Sequence, residues 1–194
     1  IEENSGKRLS EITKEILGIE TKIAVWVGPG HVQDFVNNIP NCMVIDSETE
    51  TIKKFLVNEF SSNLIRFYYG NDMIGSEIGA AAKNVMGIAA GILDGIGYSS
   101  LKGALMSRGT REVARLIKAL GGNELSAYSL AHLGDYQATL FSPYSNNRKF
   151  GELLANGKNY SKLAEGVSTS YALKILSEKV NIEMPISKAV CNTV

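Results

Sequence analysis

The sequence predicts a mainly α protein, with an all-helical domain over 72–194 preceded by a small α/β segment over 1–71. Two observations carry this. Strand-forming runs alternate with helical segments as far as Tyr69, the alternation that builds a parallel or mixed sheet. From Met73 onward no strand run recurs, and apolar residues repeat at helical spacing instead. A length of 194 residues suffices for one large domain, or for one domain with an appendage.

Glu11 to Leu17 reads as a short amphipathic helix, and Lys22 to Val27 as a strand broken by Gly28-Pro29-Gly30. His31 to Asn38 can turn as a short helix, and Cys42 to Ile45 is a second apolar run. Ser47, a candidate N-cap ahead of Glu50, opens a helix over Thr51 to Phe60 in which Ile52, Phe55, Leu56 and Phe60 keep helical spacing. Leu64 to Tyr69 is the third strand. Three strands are too few for a doubly wound sheet, so more sheet is expected ahead of Ile1. Past Asn71, helices are expected over Ile74–Gly97, Leu101–Leu120, Leu125–Thr139, Asn147–Ala155 and Thr169–Lys179. Gly121 and Gly122 stop the second of these, and Pro185 punctuates the tail.

Twenty basic residues balance twenty acidic ones, so no net field draws the chain to nucleic acid or to an anionic membrane. Cys42 and Cys191 lie far apart, in no metal-ligand spacing. With the lone His31 and His132 they point to a reducing compartment, the cytoplasm, and to no metal. The polar opening is not a secretory signal. An opening without methionine reads as a segment of something longer or a trimmed product.

The richest stretch is NDMIGSEIGAAAKNVMGIAAGILDGIGY. Gly75, Gly79, Gly87, Gly91 and Gly95 recur every four residues, and Lys83 holds the empty place in the series. Residues four apart form one ridge on a helix. Each glycine costs roughly 1 kcal/mol relative to alanine in a helix, so the ridge needs a compensating gain, usually close approach of another backbone or a ligand. Ile78, Val85, Met86 and Ile88 surround Lys83 with apolar side chains. A lysine sequestered there must pair with an acid or lose its charge, and beside a polar cleft it can act as a general acid or base. Two structural alternatives remain, a lysine snorkelling to the surface or one paired with Glu77. Glu77, Lys83, Asn84 and Asp94 interrupt any membrane-spanning reading of the glycine spacing.

EIGAAAKNVMGIAAGILDGIG resembles the signature helix of the NAD(P)-dependent glycerol-3-phosphate dehydrogenases. GPGHVQDFV, Leu133-Gly134-Asp135 with Thr139, SNNRKFG, Glu165-Gly166-Val167 and Met184-Pro185-Ile186 are similar to further segments of that family, in its order. The resemblance spans almost the whole chain. It implies a 6-phosphogluconate-dehydrogenase-like helical domain behind the remnant of a Rossmann-type sheet. It further implies NAD or NADP as cofactor and reversible reduction of dihydroxyacetone phosphate to sn-glycerol 3-phosphate. On that reading Lys83 exchanges the proton with the substrate oxygen and Asp135 orients or charge-balances it. Gly28, Gly30, Asn84, Thr139, Ser145, Asn146, Asn147 and Arg148 would bind substrate, the phosphate at a helix start. Val32, Asn146 and Glu165 would touch the cofactor. A homodimer is compatible with the family.

The chain departs from the family at three places. Asn146 stands where the family has an arginine able to fork onto phosphate, so the grip should weaken unless Arg148 or Lys149 substitutes. Gly30 replaces a hydroxyl residue, and YSSLKGAL shortens a loop while keeping Lys102. No G-x-G-x-x-[GA] turn for a pyrophosphate occurs in these residues. A second class of function therefore stands beside the enzyme: a catalytically silent helical dimerisation or scaffold module.

Overall fold

A computed structural model describes residues 1–30 and 32–194. Its N-terminal third holds helix α1 (Leu9–Leu17), strand β1 (Val25–Val27), helix α2 (Val32–Val36), strand β2 (Asn41–Asp46), helix α3 (Glu50–Phe60) and strand β3 (Ile65–Tyr69). His31, which was expected to open the short second helix, lies outside the described residues. The strands form one sheet in the order β1-β2-β3, with β1 antiparallel to β2 and β2 parallel to β3. Val44 pairs with Val27 on one side and Tyr68 on the other. Ile45, Val57 and Phe67 make a small core between the sheet and α3. The expected Ser47 cap is displaced: Thr49 holds the N-cap position of α3 without a side-chain capping bond, while the Ser47 hydroxyl accepts from the Thr49 N–H at 3.1 Å and donates to the Ile23 carbonyl at 2.6 Å.

Helices α4 (Met73–Gly95), α5 (Lys102–Ala119), α6 (Asn146–Ala155), α7 (Gly166–Lys179) and α8 (Pro185–Thr193) build the remainder. Ile78, Val85, Met86 and Ile88 of α4 are fully buried, and with Val113, Leu116, Ile117 and Leu173 they form the main core. The glycine ridge does what its spacing implied. A Cβ on Gly91 would collide with the Arg148 carbonyl, and one on Gly151 with the Ile88 carbonyl, so α4 and α6 touch backbone to backbone. Gly79 and Gly87 admit the side chains of His132 and Thr139, each 3.0 Å from where a Cβ would stand.

Two expectations are corrected. The helix expected over Leu125–Thr139 is instead three short turns: 3₁₀ at Glu124–Tyr128, 3₁₀ at Leu133–Asp135, and π at Gln137–Phe141. Asn123 caps the first of these turns, accepting from the Leu125 N–H at 3.0 Å, while Ser129 accepts from the Ala131 N–H at 3.2 Å and so takes a donor that a continuous helix would use. Pro185, read as tail punctuation, is the first residue of α8. Proline suits that position because its missing N–H would have no acceptor there. Buried Glu112 caps the same helix from α5, accepting from the N–H groups of Ile186 at 2.8 Å and Ser187 at 2.9 Å.

Polar contacts join the sheet to α4. Asp46, at the end of β2, accepts from the Asp72 N–H at 3.0 Å and the Ser76 hydroxyl at 2.8 Å. Glu77, an alternative partner for Lys83, is taken by Arg8 at 2.9 Å and by the hydroxyl of Ser10 at 2.6 Å. Among the described residues no helix is long and apolar enough to cross a membrane.

Candidate active site

Midway along α4, Lys83 points toward the 3₁₀ turn Leu133–Asp135 and makes an ion pair with Asp135. Both lie on the wall of a cavity of about 220 Å³. The side chain of Asp135 is 3% exposed and that of Lys83 is 20% exposed. Lys83 is thus partly open to the cavity, where the sequence led us to expect an amine sealed from water. Thr139, one helical turn on, sends its hydroxyl toward the other Asp135 oxygen at 3.4 Å.

Nine of the expected residues line this cavity: Gly30, Lys83, Asn84, Asp135, Thr139, Ser145, Asn146, Asn147 and Glu165. The amides of Asn84 and Asn147 are interlocked. Asn147 Nδ2 donates to Asn84 Oδ1 at 3.1 Å, and Asn147 Oδ1 accepts from the Gly166 N–H at 2.8 Å. Asn84 Nδ2 reaches Glu165 at 3.4 Å, a long hydrogen bond. These links tie α4, α6 and the start of α7 around one opening. Ser145 caps α6, its hydroxyl accepting from the Arg148 N–H at 3.3 Å. The N-terminus of α6 therefore faces the cavity, where first-turn N–H groups and the helix dipole favour an anion.

Three expected residues lie elsewhere. Arg148 turns to the far side of α6, where its Nε donates to Asp94 at 2.7 Å. Asp94 is also held by Lys102 at 2.8 Å and Ser99 at 2.6 Å. Burial opposes the Asp94 charge, but Lys102, Ser99 and Arg148 together overcome it and hold the carboxyl below its usual range. Arg148 is committed to that network and does not supply the cavity with the guanidinium expected of it as a substitute at position 146. Gly28 packs on Met43 rather than on the cavity, and Val32 is 71% exposed.

Ala138, Tyr144 and Leu163 also line the cavity and were not foreseen. The first two adjoin residues already singled out, so neighbourhood alone would have flagged them. Leu163 carried no signal. Tyr160 was missed as well; its hydroxyl donates to Asn146 Oδ1 at 2.8 Å, which leaves the Asn146 NH₂ as the group available to a ligand.

Residues 72–194 match the family model of the NAD-dependent glycerol-3-phosphate dehydrogenase C-terminus. The chain belongs to that family. It is similar to glycerol-3-phosphate dehydrogenase [NAD(P)+] of Clostridium botulinum (strain Eklund 17B / Type B), 40% identical over 195 residues, covering 96% of this chain and 58% of that relative. The enzyme of the same name from Thermotoga sp. (strain RQ2) is 40% identical over 202 residues, covering 100% of this chain and 61% of its own length. The crystal structure of glycerol-3-phosphate dehydrogenase from Coxiella burnetii superposes with a TM-score of 0.91 at 31% identity, covering 96% of this chain and 60% of that one. The chain thus spans about three fifths of these glycerol-3-phosphate dehydrogenases.

Proposed function

We propose that this chain supplies the substrate site and the proton-transferring lysine of a glycerol-3-phosphate dehydrogenase, which interconverts dihydroxyacetone phosphate and sn-glycerol 3-phosphate. The observation that carries this reading is the Lys83–Asp135 ion pair on the wall of the cavity shared by nine expected residues. In this reading residues 72–194 form the substrate-binding and catalytic unit, and residues 1–71 close a nucleotide-binding region.

A substrate ketone set against Lys83 takes its proton from the ammonium as the oxygen gains charge; in the reverse direction the amine receives it. Asp135 balances the ammonium and, with Thr139 donating to it, holds that charge within reach of the oxygen. The second N–H of the Asn84 amide is oriented by Asn147 and Glu165 and would donate to a substrate oxygen. The phosphate would sit at the start of α6, against Ser145, Asn146 and Asn147. Holding both ends of a small substrate turns proton transfer into a step within one complex. At the cavity rim, a carboxylate (Glu165) and an amide (Asn146) suit the carboxamide of a nicotinamide, which both donates and accepts. A bound nicotinamide cofactor supplies the hydride.

The scaffold reading draws on Asn146 and on the commitment of Arg148 to Asp94, which leave Lys83 as the one lysine or arginine on the cavity wall among the described residues. A steady-state assay of the full-length protein with dihydroxyacetone phosphate and NADH or NADPH separates the two. Saturable oxidation of either cofactor supports the enzyme; no turnover with both refutes it.

A further inference from the structure

Beneath the ion pair lies a buried histidine that the mechanism above does not use. His132 is fully buried, as is Tyr136 four residues on, and the two rings meet edge to face with centroids 4.8 Å apart. His132 Nδ1 lies 2.9 Å from the Gly79 carbonyl, and Nε2 lies 2.7 Å from the Tyr136 hydroxyl. A carbonyl only accepts, so Nδ1 carries the proton. Burial drives the ring pKa down to about 4, so it is neutral near pH 7. Nε2 of a neutral ring protonated at Nδ1 has only a lone pair, so the Tyr136 hydroxyl donates to it.

This arrangement brackets the reactive pair from both strands of the contact. Gly79 stands one helical turn before Lys83 on α4, and its missing side chain is what lets His132 approach. Asp135 lies inside the five-residue loop that the His132–Tyr136 bond closes, and its N–H donates to the His132 carbonyl at 3.0 Å. We propose that His132 and Tyr136 are positioning residues: a side-chain latch that pins the Leu133–Asp135 turn to α4 and so sets Asp135 against Lys83. The latch matters because that turn has no long helix to hold it. It sits between a 3₁₀ and a π segment, and a π turn beside a site often marks a functional distortion. The inference rests on the enzymatic reading of Lys83 and adds to it how the carboxylate is aimed.

The test uses the full-length protein, assayed with dihydroxyacetone phosphate and its nicotinamide cofactor, with melting temperature recorded for each variant. Tyr136→Phe removes only the latch hydroxyl. It is expected to lower kcat about fivefold, the effect of one net hydrogen bond, while KM for substrate changes less than about twofold. His132→Ala severs both bonds and should lower kcat more. His132→Asn, whose amide nitrogen can replace Nδ1 on the Gly79 carbonyl, should recover part of the loss. A lowered melting temperature in Tyr136→Phe with wild-type kcat would reduce the pair to a fold-stabilising contact and overturn the proposal, even if His132→Ala does not fold. Lys83→Ala assayed alongside separates the two claims. If it is inactive while Tyr136→Phe keeps full kcat, only the latch fails; if it keeps full activity, the catalytic reading fails and the latch with it.

Discussion

Acidification should destabilise this fold in a window set by one residue. His132 is neutral when folded because burial lowers its pKa from 6.5 to about 4, with the Lys83 charge adding to that and the Gly79 carbonyl opposing it. In the unfolded chain the ring titrates near its ordinary value. Between about pH 6.5 and 4 the unfolded state therefore binds the extra proton, and stability present above the window is lost as pH falls through it. Two and a half units at 1.36 kcal/mol each give about 3 kcal/mol in all, of which about 2 kcal/mol is lost between pH 7 and 5. For a urea m-value of about 2 kcal/mol/M, that moves the unfolding midpoint down by roughly 1 M. Asp94, Glu50 and Glu124, whose carboxyls are held low, lose their contributions only below their ordinary values of 3.8 to 4.5, so their losses fall at lower pH. The assay is urea unfolding of the full-length protein at pH 7 and 5, with His132→Gln in parallel. The difference in midpoint between the two pH values should be about 1 M smaller in the variant. Equal differences in both proteins would refute the assignment of a buried neutral ring.

Gly91→Ala should cost about 1–3 kcal/mol or more, because its methyl meets the Arg148 backbone rather than a movable side chain; thermal unfolding checks it, and an unchanged midpoint would show that α4 and α6 can separate freely. Asn146→Arg should tighten binding of the phosphorylated substrate, since it brings to the cavity a guanidinium that Arg148, turned to Asp94, does not supply. KM for dihydroxyacetone phosphate is the readout, and an unchanged or higher value would place the phosphate elsewhere.

Sequence periodicity conveyed the helices that bury a continuous apolar stripe. It also conveyed the purpose of the glycine row, because five glycines in one helix are too costly to be idle. The pairing of Lys83 with Asp135 was legible only through family likeness, since 52 positions separate them. The segment 125–139, expected as one helix, is broken where the Ser129 side chain takes the Ala131 N–H that a continuous helix would have used, a local competition that apolar spacing does not reveal. Arg148 shows a different blind spot. Its place in a phosphate-like motif says nothing about which face of α6 it leaves from, and Asp94 on the neighbouring helix decides that. The antiparallel entry of β1 was equally hidden, because an apolar run does not encode direction.

The proposed chemistry depends on a single amine, that of Lys83. In the full-length protein, Lys83→Ala should lose essentially all turnover of dihydroxyacetone phosphate, while the dissociation constant for the nicotinamide cofactor, measured by fluorescence titration, stays within about twofold. Turnover near the wild-type rate in that variant would contradict it.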